Sequence, residues 1–139
     1  MRVFMTGATG FIGQALGRRL REDGHEQVAW VRDASRARDL LGSDVTLLET
    51  SESDSRLAEV LATCDAVVNL AGAPVVRRWT AAHREALVTS RVDLTQRLTA
   101  AMTDSKVGVL ISSSAVGYYG DRGEERLTEE SAPAEGFLA

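Results

Sequence analysis

The sequence is poor in cysteine and in lysine, and it lacks any apolar run long enough to span a membrane. One cysteine, Cys64, excludes an internal disulfide and a cysteine-built metal cage, so a reducing cytoplasm is the expected compartment. No stretch approaches the ~20 apolar residues of a spanning helix, and no membrane partner is expected. The chain opens directly into Arg2-Val3-Phe4-Met5 and a glycine loop, a start too short to read as a secretory leader, so none is expected. His25 and His83 stand alone, with no neighbouring ligand set, so metal: none is the expectation. The net charge of −4, with arginines interspersed among carboxylates, argues against a nucleic-acid partner. Of 16 basic residues only Lys106 is a lysine, which narrows the proton-relay chemistry open to the chain.

What is present is an ordinary globular composition: 139 residues, 44% hydrophobic and 26% charged, enough for one domain over residues 1–139. Apolar runs alternate with segments of helical period. Strands are expected at Val3–Met5, Gln27–Val31, Val45–Leu48, Ala66–Leu70 and Val107–Ser112. Between them, Ile12, Ala15, Leu16 and Leu20 recur at helical spacing up to Gly24. A short helix runs from Ala34 to Leu41 and stops at Gly42. A third follows the caps Ser53 and Asp54. The longest helix is expected from Thr80 to Met102, with Leu87, Val88, Val92, Thr95 and Leu98 facing inward. Residues 120–135 are polar and without period, and read as loop. Nearly continuous apolar strands alternating with helices predict an α/β fold: a Rossmann-like, doubly wound parallel sheet of five strands in the order 3-2-1-4-5.

The run Thr6-Gly7-Ala8-Thr9-Gly10-Phe11-Ile12-Gly13 follows the first strand and opens the first helix. In that context the first glycine permits the tight turn, the second admits a pyrophosphate to the backbone, and the third lets helix pack on sheet. Amides and dipole at the helix start then face the phosphates. Arg32 and Asp33 follow the second strand, where a ribose is expected. A carboxylate there suits the 2′-hydroxyl of NAD, and an arginine suits the 2′-phosphate of NADP. With Arg32 first and Arg36 and Arg38 behind it, NADP is favoured and NAD is the alternative; Asp33 reads equally as a helix cap. Ala71-Gly72 at a strand end suits close approach of a ligand to bare backbone, or a plain turn.

Several separated segments resemble one known family. Thr6-Gly-Ala-Thr-Gly-Phe-Ile-Gly13 is similar to the extended short-chain dehydrogenase/reductases, the NAD-dependent epimerase/dehydratase family. Val68-Asn-Leu-Ala-Gly-Ala-Pro74, Arg77-Arg-Trp-Thr80, Ser90-Arg91 and Ser112-Ser-Ser-Ala-Val-Gly-Tyr-Tyr-Gly120 resemble its atypical sugar-nucleotide epimerase-like subgroup. The resemblance implies that Gly7, Thr9, Gly10, Phe11, Ile12 and Gly13 hold the dinucleotide, with Arg32 the arginine that goes with NADP. Leu70, Ala71 and Gly72 would pass beneath the adenosine and nicotinamide side. It also implies that this is the N-terminal portion, ending before a smaller substrate domain and therefore inactive alone.

In catalytic members a serine at the end of the fifth strand binds the substrate oxygen, and a Tyr-x-x-x-Lys pair moves the proton. Ser114 is the preferred candidate, with Ser113 beside it; strand-end capping is the competing role. The Tyr-x-x-x-Lys pair is missing: Tyr118 has Arg122 four residues on, and Tyr119 has Gly123. Tyr118 and Tyr119 are expected to line the nicotinamide pocket or pack beneath it. Arg77 and Arg78 beside Trp79 suit an anionic, planar substrate such as a sugar nucleotide, or else form a charged helix start with Trp79 stapled to His83 or Arg84. The expected function is NADP(H) binding for an oxidoreductase or nucleotide-sugar epimerase. The alternative is a non-catalytic NADP(H) sensor. A bare, apolar fifth-strand edge predicts a homo-oligomer.

Overall fold

The computed structural model describes residues 1–138. Its elements run β1 (Arg2–Thr6), α1 (Phe11–Glu22), β2 (Glu26–Val31), α2 (Ala34–Leu41), β3 (Thr46–Glu49), α3 (Asp54–Leu61), β4 (Ala66–Asn69), α4 (Ala81–Val88), a π turn (Thr89–Asp93), α5 (Leu94–Met102) and β5 (Val109–Ser112). A 3-10 turn, Val116–Tyr118, follows. All strand pairs are parallel, in the order β3-β2-β1-β4-β5. The expected fold class and strand order are therefore the observed ones.

Alternation along each strand builds two cores. Phe4, Val28, Trp30 and Val67 point to one face and meet Leu57 and Leu61 of α3 and Leu98 of α5. Val3, Met5, Ala29, Val31 and Val68 point to the other and meet Ala37 and Leu41 of α2, with Leu16 and Leu20 of α1. Each fully buried large side chain contributes roughly 1.5–3 kcal/mol, so the two layers carry most of the stability. Arg97 ties the first layer together from its rim. Its guanidinium lies 5.0 Å from the Trp30 ring centre and donates to the Thr50 carbonyl at 2.8 Å, the Glu52 carbonyl at 2.6 Å and the Asp54 carboxylate at 2.5 Å.

Helix starts follow from capping chemistry. Asp33, Ser53 and Thr80 each accept a backbone N–H from three residues on, and so begin α2, α3 and α4. The long helix departs from expectation. It is broken at Thr89–Asp93 by a π turn, whose bonds span one residue more than an α-helix allows. Leu87 and Leu98 are buried and Thr95 is half-buried, but Val88 and Val92 are 40% and 48% exposed. Val88 follows Leu87 directly and sits about 100° round the helix from it, off the buried stripe. β5 also begins later than expected, at Val109, because the Val107 amide turns to the Ser105 hydroxyl at 3.4 Å.

Candidate functional site

The parallel register lines up Thr6, Asn69 and Ser112 at the carboxyl ends of β1, β4 and β5. All three point toward α5 and form one hydrogen-bonded row. The Thr6 hydroxyl donates to Asn69 Oδ1 at 2.5 Å, and Asn69 Nδ2 donates to Ser112 Oγ at 3.2 Å and to Thr95 Oγ1 at 3.0 Å. The Thr6 hydroxyl also accepts the amides of Leu70 and Ala71, at 3.1 and 3.0 Å. This row holds the glycine loop against the loop after β4. Asn69 was given no role from the sequence; the signal available was one amide inside the apolar run Ala66–Leu70, which burial obliges to find partners.

The glycine loop is tightly built. Gly7 has φ +66°, and a Cβ there would lie 2.7 Å from the Leu70 carbonyl. A Cβ on Gly13 would strike the Gly7 carbonyl oxygen and lie 2.7 Å from the Ala8 Cα. Gly10 caps α1 with no side-chain hydrogen bond, unlike Asp33, Ser53 and Thr80 in α2 to α4. The first-turn amides of α1 therefore open onto a surface that a Cβ-free Gly10 leaves clear, which is an anion-accepting cradle. Phe11, 94% exposed, and Ile12 flank it. Gln14 Nε2 braces the loop by donating to the Thr9 carbonyl at 2.9 Å.

Beside Thr9 a cleft of about 400 Å³ is lined by Val31, Arg32, Asp33, Arg36, Ala37 and Leu40. A volume of this size suits part of a nucleotide. The Asp33 carboxylate is engaged as the α2 cap, accepting the Arg36 amide at 3.0 Å. Among the described residues Arg32 has no carboxylate partner. The cleft thus presents two guanidinium groups and one carboxylate whose Oδ1 caps α2.

On the other side of the cradle, Leu70, Ala71 and Gly72 extend from β4. The Ala73 amide donates to Ser90 Oγ at 2.8 Å, and Arg91 Nη2 donates to the Ala73 carbonyl at 3.0 Å. Arg77 and Arg78 follow in an exposed segment on the same edge. Trp79 donates to the Val75 carbonyl at 3.0 Å and stacks with Arg84, 5.8 Å from its ring centre, and with Phe137. His83 meets the Pro74 carbonyl instead.

Ser112 is engaged within the row, whereas Ser113 and Ser114 are exposed and their hydroxyls have no partner among the described residues. Tyr118 and Tyr119 meet edge to face 5.0 Å apart in the turn that follows. Lys106 is at the opposite, amino-terminal end of the strands, ahead of β5, and pairs with Asp65 at 3.2 Å. No tight group of three or more metal-binding side chains occurs among the described residues, and no described helix is long and apolar enough to cross a membrane.

Comparison with known proteins agrees with this geometry. The model of the NAD dependent epimerase/dehydratase family matches residues 3–137. Epimerase family protein Mb2239 of Mycobacterium bovis is 38% identical over 138 residues, covering 99% of this chain and 44% of its own length. The crystal structure of human epimerase family protein SDR39U1 (isoform 2) with NADPH superposes with TM-score 0.79 at 30% identity, over 99% of this chain and 45% of that one. UDP-glucuronic acid 4-epimerase from Bacillus cereus, in complex with UDP-glucuronic acid and NAD, gives TM-score 0.78 at 26% identity, over 96% and 46%. The chain thus spans less than half the length of these relatives. With a family model over nearly its whole length and a glycine cradle at the expected strand end, the chain belongs to the NAD dependent epimerase/dehydratase family.

Proposed function

We propose that residues 1–139 form the NADP(H)-binding domain of an atypical extended short-chain dehydrogenase/reductase acting on a nucleotide sugar or a related small molecule. The observation that carries this reading is the cradle of Gly7, Gly10 and Gly13 next to a cleft holding Arg32 and Arg36. In it, Thr9, Phe11 and Ile12 complete the pyrophosphate loop, and Leu70, Ala71 and Gly72 give the nicotinamide side bare backbone. Arg32 pairs with the 2′-phosphate, in keeping with the NADPH carried by the human relative's structure. When bound, the cofactor supplies hydride transfer at its nicotinamide ring. Ser114, with Ser113, hydrogen-bonds the substrate oxygen. Arg77 and Arg78 meet its anionic part, and Tyr118 and Tyr119 wall the pocket.

Calorimetric titration with NADP and NAD, on wild type and Arg32→Ala, tests the cofactor assignment. NADP is expected to bind more tightly, and the preference to vanish in the variant. A preference that survives removes Arg32 from the role.

One observation favours a second reading, a non-catalytic NADP(H) sensor. The sole lysine is bound to Asp65 at the amino-terminal end of the strands, away from the serines at their carboxyl ends, so residues 1–139 bring no Tyr-Lys proton relay to them. Following both NADPH absorbance and sugar-product formation with a panel of nucleotide sugars, using the full-length form, separates the two, since a sensor binds the dinucleotide and changes neither.

A further inference from the structure

We infer that Glu49 is a positioning residue for cofactor choice: it holds the head of α2 so that Arg32 and Arg36 face the phosphate that separates NADP from NAD. The inference rests on the dinucleotide reading above. Three observations carry it. The first is reach. Parallel pairing sets Glu49 opposite Val31, the residue before Arg32, and the Thr50 amide donates to the Val31 carbonyl at 2.8 Å. From there the Glu49 side chain crosses to α2, where Oε1 accepts the Ala34 amide at 2.9 Å. Residues 31–34, which include Arg32 and Asp33, are thus fastened to β3 at both ends.

The second is that Glu49 stands behind the cleft. Val31, Arg32, Asp33 and Arg36 line it, and Glu49 does not. Among the described residues no basic side chain pairs with Glu49, so its carboxylate serves the Ala34 amide alone. A half-buried acid that grips one amide of a ligand-facing wall acts on the ligand through that wall. The strand end that carries it is firmly held as well, because Arg97 donates to the Thr50 and Glu52 carbonyls at 2.8 and 2.6 Å.

The third is how α2 spends its first amides. Asp33 takes that of Arg36 at 3.0 Å and Glu49 takes that of Ala34, so carboxylates hold two of the first three. α1 differs, since its cap Gly10 makes no side-chain bond and leaves that turn open. A phosphate in the cleft is therefore received by guanidinium groups rather than by the start of α2, and their aim depends on how firmly residues 31–36 are held. Glu49 has two effects of opposite sign on such a ligand. Its bond to Ala34 steadies the arginines, which favours the phosphate, while its negative charge opposes one. The two can be separated, because a glutamine keeps the bond and loses the charge.

The test is calorimetry on the whole chain with NADP and NAD, comparing wild type, Glu49→Ala and Glu49→Gln, with thermal midpoints measured alongside. Glu49→Ala is expected to lower the ratio of NADP to NAD affinity by about 10-fold, the scale of one hydrogen bond. NAD affinity stays within about twofold of wild type, and Glu49→Gln restores most of the ratio. Equal weakening of both dinucleotides overturns the assignment, as does a lowered thermal midpoint with the ratio intact, because a purely structural residue gives those results. A ratio that rises in both variants also overturns it, since the carboxylate then acts only as a like charge. A wild-type chain that binds NADP no better than NAD overturns the reading beneath it, that Arg32 meets a 2′-phosphate.

Discussion

The Thr6 hydroxyl donates to Asn69 Oδ1 at 2.5 Å while accepting the amides of Leu70 and Ala71, so one oxygen joins the ends of β1 and β4. Both residues are almost wholly buried. Thr6→Val keeps the shape and removes the oxygen, which leaves the Ala71 amide and the Asn69 carboxamide oxygen without partners, while the Leu70 amide keeps the Thr6 carbonyl at 3.3 Å. The expected loss is about 2–4 kcal/mol in urea unfolding, since each orphaned buried group costs roughly 1–3 kcal/mol and some regain water. A change under about 0.5 kcal/mol would mean that the row contributes nothing net.

Gly10 and Gly13 should separate binding from stability. A Cβ on Gly10 meets only the Gly7 carbonyl oxygen, at 3.2 Å, and its φ of −78° suits any residue. Gly10→Leu is therefore expected to fold with a stability change within about 1 kcal/mol, yet to lose NADPH affinity by about 100-fold or more as its side chain enters the cradle. Gly13→Ala drives a methyl into the backbone of Gly7 and Ala8. It is expected to cost about 2–3 kcal/mol by overpacking. Urea unfolding paired with calorimetry reads both, and NADPH affinity untouched in Gly10→Leu would remove the cradle from the site.

Much of this arrangement was legible in the sequence because local chemistry determines it. Asp33 and Gly42 bracket α2 to the residue, through a side-chain cap at one end and a positive φ at the other. The glycine spacing from Gly7 to Gly13 located the cradle, and the apolar runs located all five strands. Periodicity could not report the π turn, because an added residue in one helical turn leaves the composition unchanged. Val92 was misplaced for that reason, and Val88 because it adjoins Leu87 and so falls off the buried stripe. Nor could periodicity report that Arg91 packs over Gly72, or that Asn69 joins three strand ends, since both are contacts between residues far apart in the chain.

Asp65 should make stability depend on pH in the acid range. Its carboxyl lies below the ordinary aspartate value, first through the Arg2 amide at 2.6 Å and then through Lys106 at 3.2 Å. A depressed folded pKa gives a contribution that is whole above the unfolded value, about 3.9, and is lost as pH falls through the folded one. Asp65→Asn is thus expected to lower the urea midpoint at pH 7 and to make progressively less difference as the pH falls below about 3.9. A gap of equal size at both values would show that Asp65 acts through shape alone.

Cys64 should be chemically silent while the chain is folded. Burial in the core beneath α3 pushes its thiol above the ordinary value, outweighing the lowering by Thr63 and Arg2. The thiolate is the reactive form, so burial suppresses both its population and its accessibility. At pH 8 an aromatic disulfide reagent is expected to react about 100-fold more slowly with native protein than with protein in urea. Equal rates would mean that the core opens freely around α3.

β5 should drive self-association. It is the edge of the described sheet, and alternation sends Leu110 into the first core while Val109 and Ile111 face outward, 44% and 56% exposed. The outer rim of β5 also offers unpaired amides and carbonyls to any strand that approaches. A second copy laid along that rim would extend the sheet and cover part of the apolar surface. Light scattering at rising concentration is expected to show a species of twice the monomer mass. Ile111→Lys, which puts a charge on the exposed face without touching either core, should shift it toward monomer. A clean monomer for the wild type at the highest concentration reached would show that the rim is not adhesive, and a dimer unaffected by Ile111→Lys would place the contact elsewhere.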